Sequence, residues 1–198
     1  NPKGAYHYVA RAFAPLLYTF RQEEDGSVTL WGVNDTLEPA SSDLRIRRMR
    51  LDGAVQSDEV HRVKVPANSS QQLLHLDPAS DAGAEFLVVQ VRKGDPAPDN
   101  IHFFEEWKRL KMPKATVRAV FTPQGEEGCR WQCELSAESY AHFVHLVFPQ
   151  DAVQVSDNYL FLLPGEPRVV EFSCPEPCDP RQVQIWGLNV DQVNAQYP

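Results

Sequence analysis

No apolar run in this chain approaches the roughly 20 residues that a helix needs to span a bilayer. No basic segment followed by a short apolar stretch marks a secretory leader. The formal net charge of −8 has the wrong sign for a partner built on phosphates, because nucleic-acid binding needs clustered excess Lys and Arg. One basic run exists, RIRRMR from Arg45 to Arg50. On a strand its arginines fall on both faces, so it reads as a solvated sheet edge. Absent too are a Gly-rich phosphate loop, a Gly-x-Ser-x-Gly elbow and any Ser/His/Asp or Cys/His grouping of catalytic spacing. What remains suffices to fold: 198 residues, 42% hydrophobic and 23% charged, permit one large or two small domains.

The residues present fall into three segments. Over residues 2 to 14, Tyr6, Val9, Ala10 and Phe13 recur at i, i+3, i+4 and i+7 and predict one apolar stripe on a helix. After Pro15 the chain reads as short strands divided by Gly, Pro and Asp turns. A lone helix ahead of all-β units is expected to be the last element of a preceding domain, and the chain the C-terminal piece of a longer protein. The missing leader therefore leaves its compartment open: periplasmic, secreted, lysosomal or cytoplasmic.

The first β unit is predicted over residues 16–110, with strands at Ser27–Val33, Leu44–Leu51, Val60–Val65, Gln71–Leu76 and Glu85–Val91. In EFLVVQV both faces are apolar, which predicts a central strand covered on both sides. In LRIRRMRL the apolar phase slips between Ile46 and Met49, which predicts a β-bulge near Arg47–Arg48. A Pro-rich seam at 93–99 and a second break at 111–114 flank IHFFEEWKRL, read as a connecting element. The second unit, residues 111–198, alternates at Val117/Ala119/Phe121, Trp131/Cys133/Leu135 and Val144/Leu146/Phe148. Strands at Tyr159–Leu163, Val169–Phe172 and Val183–Leu188 follow. The predicted fold class is all-β: two tandem immunoglobulin-like sandwiches preceded by a short helix.

Candidate chemistry is sparse. Glu23-Glu24, Glu105-Glu106 and Glu126-Glu127 are sequence neighbours, whereas a glycosidase holds its two carboxyls across a substrate on separate rigid elements. They read as solvated surface. His142 and His145, at i and i+3 on a strand, point to opposite faces and lack a third ligand. Four cysteines form two Cys-x3-Cys pairs. Cys129 and Cys133 lie about 13 Å apart on an extended strand, too far to bond, while Cys174 and Cys178 sit in a turn that can close. Free thiols are the first reading, at least one disulfide the second and a thiolate metal site the third. Asn34-Asp-Thr36 and Asn68-Ser-Ser70 match the glycosylation sequon. Trp31, Trp107, Trp131 and Trp186 are candidate sugar platforms. The strand parity of Trp131 places it in a core, and Trp31 and Trp186, each before a glycine, read as related packing. No catalytic, cofactor-binding or metal residue is assigned, and no cofactor, nucleic acid or membrane partner is expected.

Three segments carry a resemblance. PKGAYHYVARAFAPLLYTF, LWGVNDTLEPAS and above all VSDNYLFLLPGEPRVVEF (Val155–Phe172) resemble the C-terminal region of the β-mannosidases of glycoside hydrolase family 2, over essentially the whole chain. The resemblance implies a helix left over from a (β/α)8 catalytic barrel in residues 1–15 and two accessory sandwiches. It implies a parent enzyme that removes terminal non-reducing β-D-mannose with two barrel glutamates. Those glutamates match no position here. The implied partners are the barrel in cis and the parent's glycan substrate. Ser156-Asp157-Asn158 and Pro164-Gly165 are expected to set turns, and Tyr159 to open a strand. The alternatives are a carbohydrate-binding module, or the same region of a β-galactosidase, β-glucuronidase or exo-β-glucosaminidase.

Overall fold

The computed structural model describes residues 3–92, 94–125 and 127–198. Pro2 of the expected helix, Lys93 of the seam and Glu126 of the third carboxylate pair lie outside them. The chain is mostly β and divides into two compact units. One holds residues up to Tyr8 with Met112–Pro198, the other Val9–Lys111. Helix α1 (Gly4–Ala12) comes first.

The unit of Val9–Lys111 packs two sheets face to face. One has the order β1-β2-β5, from Leu16–Gln22, Val28–Asn34 and Ser69–Leu76. The other has the order β4-β3-β6-β7, from Val55–Val65, Ala40–Arg50, Glu85–Val91 and Asn100–Phe103. All its pairings are antiparallel. Leu16, Tyr18, Leu30, Leu44, Ile46 and Val89 meet between the sheets. β6 is central, and Glu85 to Val89 are buried on both its faces, as its continuous apolar run predicts. β3 itself carries no bulge: its buried side changes because both faces are covered there, Leu44 and Ile46 on one and Arg47, Met49 and Leu51 on the other. β3 pairs with β6 without interruption from Leu44 to Arg50. The extra residue is Gln56 in β4, since Arg48 faces Ser57 and Met49 faces Val55. IHFFEEWKRL is also not a connector alone. Its first residues are β7, hydrogen-bonded to β6, and a 3-10 turn at Trp107–Arg109 follows. The alternation of Leu16 and Tyr18 in β1 is legible, yet that strand was not among those expected.

The other unit pairs a five-stranded sheet, order β11-β13-β9-β8-β15, with a three-stranded one, order β12-β10-β14. The strands are β8 (Ala115–Pro123), β9 (Arg130–Ala137), β10 (Ala141–Val147), β11 (Gln154–Val155), β12 (Leu160–Leu162), β13 (Arg168–Ser173), β14 (Gln184–Trp186) and β15 (Val190–Gln196). The alternating residues of β8, β9 and β13 line its core, with Trp131, Cys133 and Leu135 among them. β15 escapes a pattern reading because VDQVNAQ carries little apolar alternation; it is an edge strand parallel to β8.

Candidate functional site

Glycoside hydrolysis needs two carboxyls facing each other across a substrate, so the state of each acid decides whether this chain could perform it. Among the described residues Glu85 is the buried acid, 1% exposed. Burial pushes its pKa up, but hydrogen bonds from Ser80, Gln56, Arg48 and the Asp81 N–H outweigh that and bring it down to about 2. A general acid needs the opposite shift, since it must keep its proton at neutral pH. Glu85 is an ionised anchor that ties the 77–81 loop to β3 and β4: Ser80 Oγ, Ser80 N–H, Asp81 N–H and Gln56 Nε2 all donate to it, as does Arg48 at 3.2 Å. Arg48 also donates to the Asp77 and Pro78 carbonyls and lies 5.1 Å from the Phe104 ring centroid. Of the adjacent pairs, Glu23 accepts from Thr29 Oγ1 at 2.7 Å, Glu105 from the Glu106 N–H at 2.9 Å, and Glu106 pairs with Lys108. Each is engaged locally.

A cleft of about 790 Å³ opens beside this anchor between β4 and β5, with Gln56, Glu59, His61 and His75 on its walls. Polar and apolar side chains share its walls, and no Phe, Tyr or Trp lies among them. A shallower groove of about 520 Å³ runs past Gln22, His102, Glu105 and Trp107. Trp107 is 48% exposed there, its ring tilted against Phe103. Trp186 is 57% exposed on the edge strand β14, whereas Trp31 is half-buried in β2 and donates to Thr29. The shared Trp-Gly step thus does not give shared tryptophan environments.

What that step does share lies elsewhere. A Cβ on Gly32 would sit 2.6 Å from Val65, and one on Gly187 2.4 Å from Val190, so both glycines answer to close approach rather than to a turn. The asparagine two residues on is the common device. Asn34 donates to the carbonyls of Glu38, Val65 and Pro66 and accepts from Thr36. Asn189 donates to the carbonyls of Pro113 and Tyr140 and accepts from the His142 N–H. Each fastens the backbone of segments distant in sequence. Asn34 is fully buried, so the Asn34 sequon is structural. The sequence carries the same Trp-Gly-x-Asn in both units, Trp31 to Asn34 and Trp186 to Asn189.

His142 and His145 serve separate neighbours. His142 is buried and bonds to Tyr140 Oη. His145 hydrogen-bonds the Phe143 carbonyl at 2.8 Å and stacks on Tyr159 at 4.4 Å. Strand parity is broken between them by a register shift between Ala141 and Val144, where Phe143 takes φ 55°. Tyr159 has φ 56° and precedes β12 rather than opening it. On the same unit His7 of α1 is buried, 3.7 Å from Asp157, while Tyr8 lies 5.3 Å from the Phe143 ring and Gly4 packs on the Tyr159 ring. The predicted stripe points away from these contacts: Tyr6, Val9 and Phe13 are 62%, 54% and 81% exposed.

Of the turn residues in the distinctive motif, Pro164-Gly165 form the expected turn, whereas Asn158 reaches across to β10. Asn158 receives the Leu146 N–H and donates to the Leu146 carbonyl, and Asp157 accepts from the Asn158 N–H. Gly165 has φ 73°, and the Glu166 N–H reaches the Leu163 carbonyl at 3.1 Å, closing the Pro164-Gly165 turn. The cysteine expectation is corrected in one half. Cys174 and Cys178 are joined by a disulfide, because the turn brings their Cα atoms to 6.4 Å. Cys129 and Cys133 are free thiols, and burial pushes the Cys133 thiol up to about 12.

Known proteins give this geometry its setting. Residues 26–109 match the family described as the mannosidase Ig/CBM-like domain, and residues 112–186 match the Ig-fold domain. The β-D-mannosidase from Dictyoglomus thermophilum matches 96% of this chain with a TM-score of 0.82 and 24% identity. The exo-chitosanase of Amycolatopsis orientalis matches 96% of it with a TM-score of 0.68 and 17% identity. The chain spans about a quarter of each enzyme, 24% and 27% of their lengths. No curated protein sequence matches it.

Proposed function

We propose, of a chain that belongs to the mannosidase Ig/CBM-like and Ig-fold families in tandem, that it is the non-catalytic C-terminal region of a β-mannosidase-like retaining exo-glycosidase. The observation that carries this is the order of the two domains, mannosidase Ig/CBM-like and then Ig-fold, across residues 26–186. The parent would hydrolyse terminal non-reducing β-D-mannose on a catalytic barrel in cis, and residues 1–15 would be that barrel's last helix. The sandwiches, taken as 16–110 and 111–198, would brace it. The exposed stripe of α1 supports the cis contact, since Tyr6, Val9 and Phe13 present a continuous apolar face. Glu85 supports the non-catalytic role, because five donors hold it as an ionised structural group.

The test is turnover of a chromogenic β-mannoside by the pure chain and by the same chain extended upstream. Hydrolysis is expected from the extended protein alone. Turnover by the chain itself, abolished by Glu85→Gln, would overturn the reading. A second reading, sugar binding by the chain, is favoured by Trp107, which stands exposed beside Gln22, His102 and Glu105.

A further inference from the structure

We propose that Cys129, Cys174 and Cys178 form a three-sulfur exchange unit, in which one disulfide migrates between Cys174–Cys178 and Cys129–Cys174. The register of the β9–β13 ladder is the basis. Arg130 faces Ser173 and Trp131 faces Phe172. The pairing runs one step past both strands, where the Cys174 N–H donates to the Cys129 carbonyl at 2.8 Å. Cys129 and Cys174 are thus direct cross-strand neighbours. By strand parity Cys129 continues the face of Trp131 and Cys133, and Cys174 that of Val170 and Phe172, all core residues. The Cys178 N–H bonds to the Gly128 carbonyl at 3.1 Å, and Pro177 packs 3.7 Å from where a Gly128 Cβ would be. The CPEPC turn is therefore folded back over Gly128-Cys129.

A hydrogen-bonded antiparallel pair sets its Cα atoms about 5.5 Å apart, inside the range a disulfide accepts. Its Cβ atoms must close by about 1 Å. Neither cysteine is inside a strand, so the open end of the ladder can supply that movement. Cys129 is a partly exposed free thiol whose Sγ–H donates to the Glu127 carbonyl at 3.6 Å. The fourth cysteine stays out of the exchange. Cys133 is fully buried opposite Val170 and Phe121, and its raised pKa keeps it a thiol.

In the step, the Cys129 thiol gives its proton to solvent and the thiolate attacks Sγ of Cys174. The Cys174–Cys178 bond breaks, its electron pair leaves on Cys178 Sγ, and that sulfur takes up a proton. One disulfide and one thiol are present before and after, so no oxidant or reductant is consumed. The two linkages differ in consequence. Cys174–Cys178 closes a short turn, whereas Cys129–Cys174 staples β9 to β13 across a long intervening segment, and longer loops constrain the unfolded chain more.

Peptide mapping decides it. The folded chain is incubated at pH 8.5, quenched in acid, alkylated without reduction and cut with trypsin. In one form the peptides 119–130 and 169–181 separate, the latter carrying an internal disulfide; in the other they are joined. Both forms are expected in wild type, in a ratio reached faster at higher pH and independent of protein concentration. Cys129→Ser should give the internal disulfide alone. Cys178→Ser, oxidised with oxidised glutathione, should give the joined peptides. Wild type that shows only the Cys174–Cys178 form after a day at pH 8.5 would overturn the proposal. So would a folded Cys178→Ser in which Cys129 and Cys174 are both alkylated. If Cys178→Ser fails to fold, the wild-type map decides alone.

Discussion

Two kinds of residue hold this chain's backbone where strands alone would not, and both give measurable predictions. Glu85 has a folded pKa of about 2 against an ordinary 4.5. A carboxylate whose folded pKa is depressed contributes stability above its unfolded value and loses it as pH falls toward the folded one. The shift corresponds to roughly 3 kcal/mol. Glu85→Gln is therefore expected to lower stability at pH 7 and to flatten the loss between about pH 4.5 and 2, as read by denaturant midpoints across that range. An unchanged acid limb would show that the loop contacts do not depend on the charge. Asn34 and Asn189 are the second kind. Replacing either by Ala removes one side chain and strands several carbonyls, so a cost of roughly 2–3 kcal/mol is expected. Thermal unfolding of Asn34→Ala and Asn189→Ala checks it, and a loss below 0.5 kcal/mol in both would refute the clamp.

At the scale of elements, legibility followed the strength of the pattern. β6 and β9 were legible because their burial alternates or saturates over seven or eight residues. β15 was not, since its apolar residues are few, and β7 was hidden behind the proline-rich seam. The bulge shows a deeper limit. The slip in LRIRRMRL records a change of buried face along β3, whereas the one-residue insertion sits in β4 and leaves no mark on the β3 sequence. The helix was legible as a helix and only half legible as a contact. Its apolar stripe was visible, while Gly4 and His7, which pack on the terminal sandwich, carry no periodic signal. A nine-residue helix is marginal alone in water, because nucleation is costly. Its order should therefore depend on the Gly4/Tyr159 and Tyr8/Phe143 contacts. Tyr159→Ala is expected to speed amide exchange over residues 7–12 by tenfold or more, whereas Phe13→Ala, at an exposed position, should leave it unchanged. The reverse pattern would assign the helix's order to its outer stripe.

For the whole molecule, the candidate site was least legible because sequence offers chemistry as residue types, whereas the structure shows which types are already spent. Glu23, Glu105 and Glu106 have local partners, and Glu85 has five donors. The tryptophans follow the same logic. Sugar recognition needs a flat ring bordered by polar groups that converge on one ligand. Trp131 is core. Trp186 donates its indole N–H to Gln184 at 3.2 Å on an edge strand. Trp107 comes nearest to the requirement. Yet its ring is tilted 59° against Phe103 at 4.8 Å, and Glu105 beside it already accepts from the Glu106 N–H. A single partly covered ring with committed neighbours offers little net affinity, because association must first offset lost translational and rotational freedom. Calorimetric titration with mannobiose to mannotetraose at millimolar concentration is therefore expected to give no saturable heat. Saturable binding that disappears in Trp107→Ala, with the thermal midpoint unchanged, would establish the groove as a carbohydrate site and make the chain a binding module.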